Sequence, residues 1–154
     1  MLLPFLVAAG VLVGSLTLYG LATTIILHLV VRLIRTGYSG LSVWRNVAFM
    51  VLVSLVTAVA HLIQIALWAA ALLLVGALPS FDKALYYSAQ SYTAVGYGDV
   101  AVSEQWRMLG PLESINGLLL FGLSTAVMFA VMSRLIKNRL RLKVGDAYES
   151  DVTE

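Results

Sequence analysis

The loop Thr93–Asp99, with the sequence TAVGYGD, is the segment whose residue types and spacing could do chemistry. Gly96 and Gly98 alternate with larger residues, and glycine adopts backbone angles that a side chain forbids. The chemistry that this spacing offers therefore lies in the backbone rather than in reactive side chains. The sequence has no cysteine, no nucleophile placed with a base and no cluster of metal-ligating side chains, so we expect no enzyme.

Three long apolar stretches surround this loop, at about residues 2–31, 47–78 and 109–136. Each exceeds the roughly 20 residues that a helix needs to cross a bilayer. The chain is 60% hydrophobic and only 12% charged, which is more apolar surface than a soluble domain of this length can bury. We therefore expect an all-α membrane protein with three transmembrane helices and with membrane lipid as its surroundings.

The basic residues indicate how these helices are oriented. Eight of the ten lie on one side of the membrane by this reading: Arg32, Arg35, Arg45, Arg134, Lys137, Arg139, Arg141 and Lys143. Cytoplasmic loops carry the excess of Lys and Arg, so this side should be the cytoplasm. The N-terminus is then outside and the C-terminus inside. A net charge of +2 is too small to indicate nucleic acid.

The segment 79–105, which carries the loop, lies on the outer side between the second and third stretches. Ser80 is a candidate N-cap and Asp82 a first-turn acid for a short helix from about Phe81 to Tyr92. A short helix followed by irregular backbone at membrane depth predicts a re-entrant loop. Such backbone is tolerated only where it is buried in protein or lines a water-filled path, which points to a transport pathway.

The loop Thr93–Asp99 resembles the selectivity filter of the pore-loop potassium channel family. The resemblance covers roughly residues 47–137 and is closest to the simple bacterial channels with two helices around a pore loop. Phe121-Gly122-Leu123 and Thr125-Ala126 echo the inner helix of that family, as does Gly117. The first helix is additional to this two-helix plan.

The resemblance implies a homotetramer with one filter built from four loops. Permeant K⁺ would be bound by the backbone carbonyls of Ala94, Val95, Gly96 and Tyr97, with Thr93 and Gly98 completing the filter. It places Tyr87, Gln90 and Asp99 as supports around the filter, with Asp99 at the outer mouth. Tyr86 and Tyr87 are either an aromatic cuff, with Tyr87 bonding Tyr97 of a neighbouring chain, or interfacial tyrosines.

The third apolar stretch corresponds to the inner helix of the family, and by resemblance it is expected to carry the hinge and the gate. Gly117 would be a flexible hinge and Gly122 the second glycine of the pattern, or both glycines only allow close helix packing. Thr125 and Phe129 share one face with Leu118, Phe121 and Met132. By resemblance this face lines the cavity, where four copies of Phe129 would form a constriction. The alternative is that the face only packs between helices.

Two residues depart from the family pattern. Ala94 stands where a second threonine normally supplies hydroxyl oxygens to the innermost ion site, so we expect that site to be weakened. Gln90 stands where the best-known bacterial channel has a glutamate paired with the filter aspartate. Because an amide is uncharged, a link to Asp99 would share no proton, and we expect less pH dependence from this position.

Two titratable residues lie within the apolar stretches. His61 belongs to a polar stripe along the second stretch, and it either hydrogen-bonds across helices or senses protons. Glu113 lies near the outer end of the third, an expensive place for a carboxylate. We expect it to pair with Arg107 or to bond to the pore helix, as a brace rather than an ion ligand.

The sequence thus predicts four regions: an extra transmembrane helix at 1–35, a basic cytoplasmic loop at 36–46, a pore domain at 47–137 and a short cytoplasmic tail at 138–154. The leading interpretation is a potassium-selective channel subunit in the cell membrane, by resemblance the bacterial inner membrane. The alternatives are a less selective monovalent cation channel and a non-conducting scaffold or accessory subunit of the same fold. We expect K⁺ as the permeant ion, no organic cofactor and no soluble ligand-binding domain.

Overall fold

The computed structural model describes residues 2–35 and 43–152, and over these residues the chain is entirely helical apart from its loops. Helix α1 spans Leu2–Arg35, α2 spans Val43–Leu74, α3 spans Phe81–Tyr92 and α4 spans Leu109–Val152. The helix predicted from Phe81 to Tyr92 is confirmed with the same bounds. Residues 36–42, most of the expected basic loop, lie outside the described residues.

Three of the helices are long and apolar enough to cross a membrane, as the sequence predicted. The apolar parts are Leu2–Leu29, Trp44–Leu74 and Leu109–Lys137. Helix α4 continues well past the last of these, to Val152, through the segment expected as a tail. The first part of that segment, residues 139–143, consists of arginine, leucine and lysine, which favour helix even where the apolar pattern has ended.

A tight turn connects α2 to α3. Gly76 has a positive φ of 69°, and the N–H of Ala77 donates to the carbonyl of Leu72 at 2.9 Å, which closes the end of α2. Ser80 occupies the N-cap of α3 in extended geometry, as expected, but its side chain makes no capping bond. Instead its backbone carbonyl accepts from the N–H of Ala84 at 3.0 Å. Short α3 is thereby turned back against α2.

The core lies where α2, α3 and α4 meet. Its fully buried side chains include Trp68 and Leu72 of α2, Tyr92 of α3, and Leu109 and Leu120 of α4. Because α3 contributes to this core along with the long helices, its last turn is held firmly. The loop after Tyr92 therefore starts from a fixed point.

Helix α1 packs against both α2 and α4 of its own chain. Buried polar residues make the junction: Ser15 of α1 donates to the side chain of Gln64, whose amide donates back to the Ser15 carbonyl at 2.9 Å. Asn116 of α4 donates to the Ser15 hydroxyl at 2.8 Å. Such bonds between helices replace the water that apolar surroundings exclude.

Candidate ion-conduction site

The loop after α3 begins tied to the last turn of that helix. The N–H groups of Val95 and Gly96 both donate to the carbonyl of Gln90, at 2.9 and 3.2 Å, and that of Ala94 donates to Ser91 at 2.9 Å. The Thr93 hydroxyl donates to the carbonyl of Ala89 at 2.7 Å. The first half of the loop is therefore positioned by the carbonyl end of α3.

The backbone of the loop alternates in hand. Ala94, Gly96 and Gly98 have positive φ values of 58°, 59° and 76°, whereas Val95 and Tyr97 between them do not. In an ordinary strand successive carbonyls point to opposite sides, because all residues have φ of one sign. Alternating the hand turns successive peptide planes toward the same side. The loop thus has the backbone form that a row of like-directed carbonyls requires.

Ala94 is the unexpected member of this alternation. The sequence indicated left-handed positions only at the two glycines, but Ala94 adopts the same conformation with a side chain present. An L-residue in that region costs about 1–2 kcal/mol. It is the single non-glycine residue with positive φ in the described part of the chain. The repeat of every second residue was the available signal, since 94 precedes 96 and 98 in the same series.

The side chains of Val95 and Tyr97 lie on the surface of the chain. Val95 is 53% exposed and Tyr97 is 72% exposed. The valine and the tyrosine of this loop are therefore accessible in the single chain.

Asp99 is held by two side chains of α3. The Tyr86 hydroxyl donates to Oδ2 at 2.8 Å, and the Gln90 amide donates to Oδ1 at 3.2 Å. The bond from Tyr86, with a smaller contribution from Gln90, holds the pKa of the Asp99 carboxyl below its ordinary value. The same bond raises the pKa of the Tyr86 hydroxyl. The link from Gln90 to Asp99 is thus present as a neutral amide bond.

Tyr86 was named in the sequence only as part of a cuff, and its bond to Asp99 was missed. The signal was available, because Tyr86 and Gln90 are four residues apart and share one face of α3. Tyr87 faces another way. Its hydroxyl lies against Gly110 of α4, where an added Cβ would overlap it. Gly110 therefore makes room for Tyr87, a role that the sequence did not indicate.

The two inner-helix glycines have different surroundings. A Cβ added at Gly117 would overlap the backbone carbonyl of Tyr92, so this glycine lets α4 approach the end of α3. A Cβ at Gly122 would meet nothing within 4 Å. Close packing at Gly117 is therefore supported by a contact. A hinge at either glycine stays a prediction.

The expected gate residues lie on the open side of α4. Phe129 is 72% exposed, and the hydroxyl of Thr125 donates to the carbonyl of Phe121 at 3.0 Å within the helix. Phe121 turns partly inward, with its ring 4.4 Å from that of His61. The face that carries Thr125 and Phe129 is thus left unpacked by the chain itself.

His61 joins the helices immediately behind the loop. Its Nδ1 lies 2.9 Å from the hydroxyl of Tyr92, the residue before Thr93, and its Nε2 lies 2.8 Å from the hydroxyl of Ser124. Tyr19 of α1 donates to the same Ser124 oxygen at 3.1 Å. The expectation that His61 hydrogen-bonds across helices is confirmed, and through it all four helices meet at the start of the loop.

Glu113 bonds to α3. Its Oε1 contacts the hydroxyl of Ser88, while Arg107 lies 3.8 Å from Glu104 on the exposed surface. Of the two expected partners, the short helix α3 is the one that Glu113 bonds to. Among the described residues no three His, Cys, Asp or Glu side chains could hold a metal together.

Comparison with known proteins gives one family. The family model described as "Ion channel" matches residues 58–134, half of the chain, from the middle of α2 through α3 and the loop to Arg134 in α4. No curated protein and no solved structure matches the chain. Helix α1 lies outside the matched range. The helices on either side of the loop, the alternating backbone and this match together place the chain in the pore-loop ion channel family.

Proposed function

We propose that the chain is a potassium-selective channel subunit and that four copies surround one pore. The observation that carries this proposal is the alternating hand at Ala94, Gly96 and Gly98. It favours a row of backbone carbonyls, from Ala94 to Tyr97, that would replace the hydration shell of K⁺. Thr93 and Gly98 flank this row and complete the proposed filter. The permeant ion needs no side-chain ligand there.

One loop can supply only part of the oxygen shell of an ion, so the pore needs several chains around an axis. The exposed Val95 and Tyr97 support this reading, since a neighbouring subunit would cover them. The open face with Thr125 and Phe129 would then line the cavity below the filter. Four Phe129 rings on one axis would make an apolar constriction that gates by excluding water.

The proposed orientation has the filter outside and the basic ends of the helices in the cytoplasm. Arg32, Arg45, Arg134 and Lys137 are all exposed near the ends of the apolar segments. Such an excess of basic residues is typical of the cytoplasmic side. Helix α3 with its loop would be re-entrant, entering from the outer side without crossing. We place the protein in the cell membrane, by family resemblance a bacterial inner membrane.

A less selective monovalent cation channel is the second candidate, and Ala94 is the reason. Its methyl group cannot supply the oxygen that a hydroxyl would, so the innermost site keeps only carbonyl ligands. The strain of the left-handed Ala94 backbone would weaken the innermost site further. The outer carbonyls, from Val95 to Tyr97, would then carry most of the selection.

Ion uptake into liposomes tests this proposal. Purified protein is reconstituted, and the uptake of K⁺ and of Na⁺ is compared with that of protein-free liposomes. The proposal predicts K⁺ uptake well above Na⁺ uptake, with a protein that sediments as a tetramer. Equal uptake of the two ions would identify the less selective channel. Uptake of neither would leave the fold with a scaffold role.

A further inference from the structure

The Ser88 hydroxyl contacts two oxygen atoms of other residues, but it has only one proton to donate to them. The Ser88 hydroxyl oxygen lies 2.7 Å from the backbone carbonyl of Ile65 in α2 and also contacts Oε1 of Glu113 in α4. All three groups are acceptors, and a serine hydroxyl has a single proton to donate. If Glu113 were ionised, one of these two contacts would join two oxygens with no proton between them.

A protonated Glu113 resolves the count. The carboxyl then donates to Ser88, and Ser88 donates to Ile65, so each short contact holds one proton. Burial favours the same form. Glu113 and Ser88 are both fully buried, and the second carboxyl oxygen of Glu113 has no partner in the described part of the chain. A buried ionised carboxylate with no cation beside it and one oxygen without a partner costs several kcal/mol.

The titratable groups around Glu113 do not change this picture. From α3, Tyr87 and Tyr92 lie near enough to interact electrostatically with an ionised Glu113. From α2, His61 is engaged by Tyr92 and Ser124, and from α1, Tyr19 is engaged by Ser124. On α4 itself the neighbour one turn on is the neutral Asn116, which bonds Ser15. None of these hydrogen bonds joins Glu113 to a positively charged group.

We propose that Glu113 is a positioning residue for the filter that acts in its protonated, uncharged form. Its proton completes a chain from α4 through Ser88 of α3 to Ile65 of α2. Ser88 lies two residues before Gln90, whose carbonyl holds the N–H groups of Val95 and Gly96. The brace therefore fixes the helix end from which the loop starts. This inference rests on the proposed function of that loop.

The protonation state is tested without ion conduction. Infrared spectra of the reconstituted protein at pH 7 are compared between the wild type and Glu113→Gln. The difference spectrum should show the carbonyl stretch of a protonated carboxylic acid. Glu104→Gln is the matched control, because Glu104 is 89% exposed and its loss should remove only carboxylate bands. If the Glu113 difference also contains only carboxylate bands, the proposal is overturned, whatever the protein conducts.

The positioning role is tested by K⁺ and Na⁺ uptake at pH 7. Glu113→Gln keeps a donor toward Ser88, so its selectivity should stay within about twofold of the wild type, whereas Glu113→Ala should lose about fivefold, the effect of one hydrogen bond. A glutamine variant as impaired as the alanine variant would show that the donated proton is not what matters. If the wild type takes up neither ion, the proposed function fails, while the infrared result still decides the state of Glu113.

Discussion

The loop Thr93–Asp99 and the buried side chains behind it are built in opposite ways. The loop offers its backbone and leaves Val95 and Tyr97 exposed. Behind it, Ser88, Glu113 and His61 are buried and bond to other helices of the same chain. One region leaves side chains exposed, and the other is buried and joined by bonds within the chain.

The difference shows which interactions each chain makes alone and which would require an assembly. The subunit fixes the end of α3 by its own core and its own polar bonds, before any neighbour is present. The loop then emerges with a set backbone and an uncovered outer surface. A channel assembled from such subunits would depend on neighbours for the pore but not for the direction in which each loop starts.

The largest effect is expected from Gly96→Ala. Gly96 has a φ of 59°, where a side chain costs about 1–2 kcal/mol in each chain, and the proposed filter would contain four such positions. We expect K⁺ uptake into liposomes to fall by about tenfold or more, because this cost is added to the one that Ala94 already carries at a φ of 58°. Gly20→Ala is the control, because Gly20 is helical and an added Cβ meets nothing within 4 Å. Normal uptake by Gly96→Ala would break the link between backbone form and conduction.

Gly117→Ala tests the fixed region. Its Cβ would overlap the carbonyl of Tyr92, so α4 and the end of α3 must separate. Overpacking of this kind costs about 1–3 kcal/mol, and the melting temperature in detergent should fall. Gly122→Ala, with open space around it, should melt like the wild type. Equal melting of the two variants, with altered gating only, would favour the hinge over packing.

Tyr86→Phe tests the contact between the two regions. The Tyr86 bond is the main cause that lowers the pKa of Asp99, so removing it should raise that pKa toward its ordinary value. A carboxyl whose folded pKa is lowered contributes stability at pH values above its ordinary pKa. It loses that stability as the pH falls through the folded pKa. The acid inactivation of K⁺ uptake should therefore begin at a higher pH in Tyr86→Phe. An unchanged acid limb would mean that Asp99 does not set it.

Gln90→Leu removes the second bond to Asp99 and leaves the Tyr86 bond in place, so the two effects can be compared. Its amide contributes less than Tyr86 to the lowered pKa of Asp99. We expect a smaller shift of the acid limb than in Tyr86→Phe, together with a change in open probability at fixed pH. Single-channel recording measures both quantities. A larger shift than in Tyr86→Phe would reverse the assigned order of the two bonds.

The smallest effect is expected from Ala94→Ser. Serine adds a hydroxyl at the innermost site without the branched Cβ of threonine, which suits the left-handed backbone poorly. One added oxygen ligand should raise the preference for K⁺ over Na⁺ by up to about fivefold. Ion density along the filter at high potassium would give the matching structural result. Full density at the innermost site of the wild type would refute the weakening by Ala94.

The sequence predicted the elements because their signals are local. Apolar length marked the three spans, and Ser80 and Asp82 marked the start of α3. The contacts between elements were less accessible. The overlap of Gly117 with Tyr92 and of Gly110 with Tyr87 depends on how closely helices approach, which periodicity does not give. The left-handed Ala94 was missed because propensity assigns that conformation to glycine, while here the alternation of the loop overrides it.

Selection of K⁺ by the loop Thr93–Asp99 can be measured as the reversal potential under bi-ionic conditions. Wild-type protein is reconstituted in a planar bilayer with K⁺ on one side and Na⁺ on the other. We expect a reversal potential displaced far toward the equilibrium potential of K⁺, and the Gly20→Ala variant should give the same value. A reversal potential near zero would contradict it.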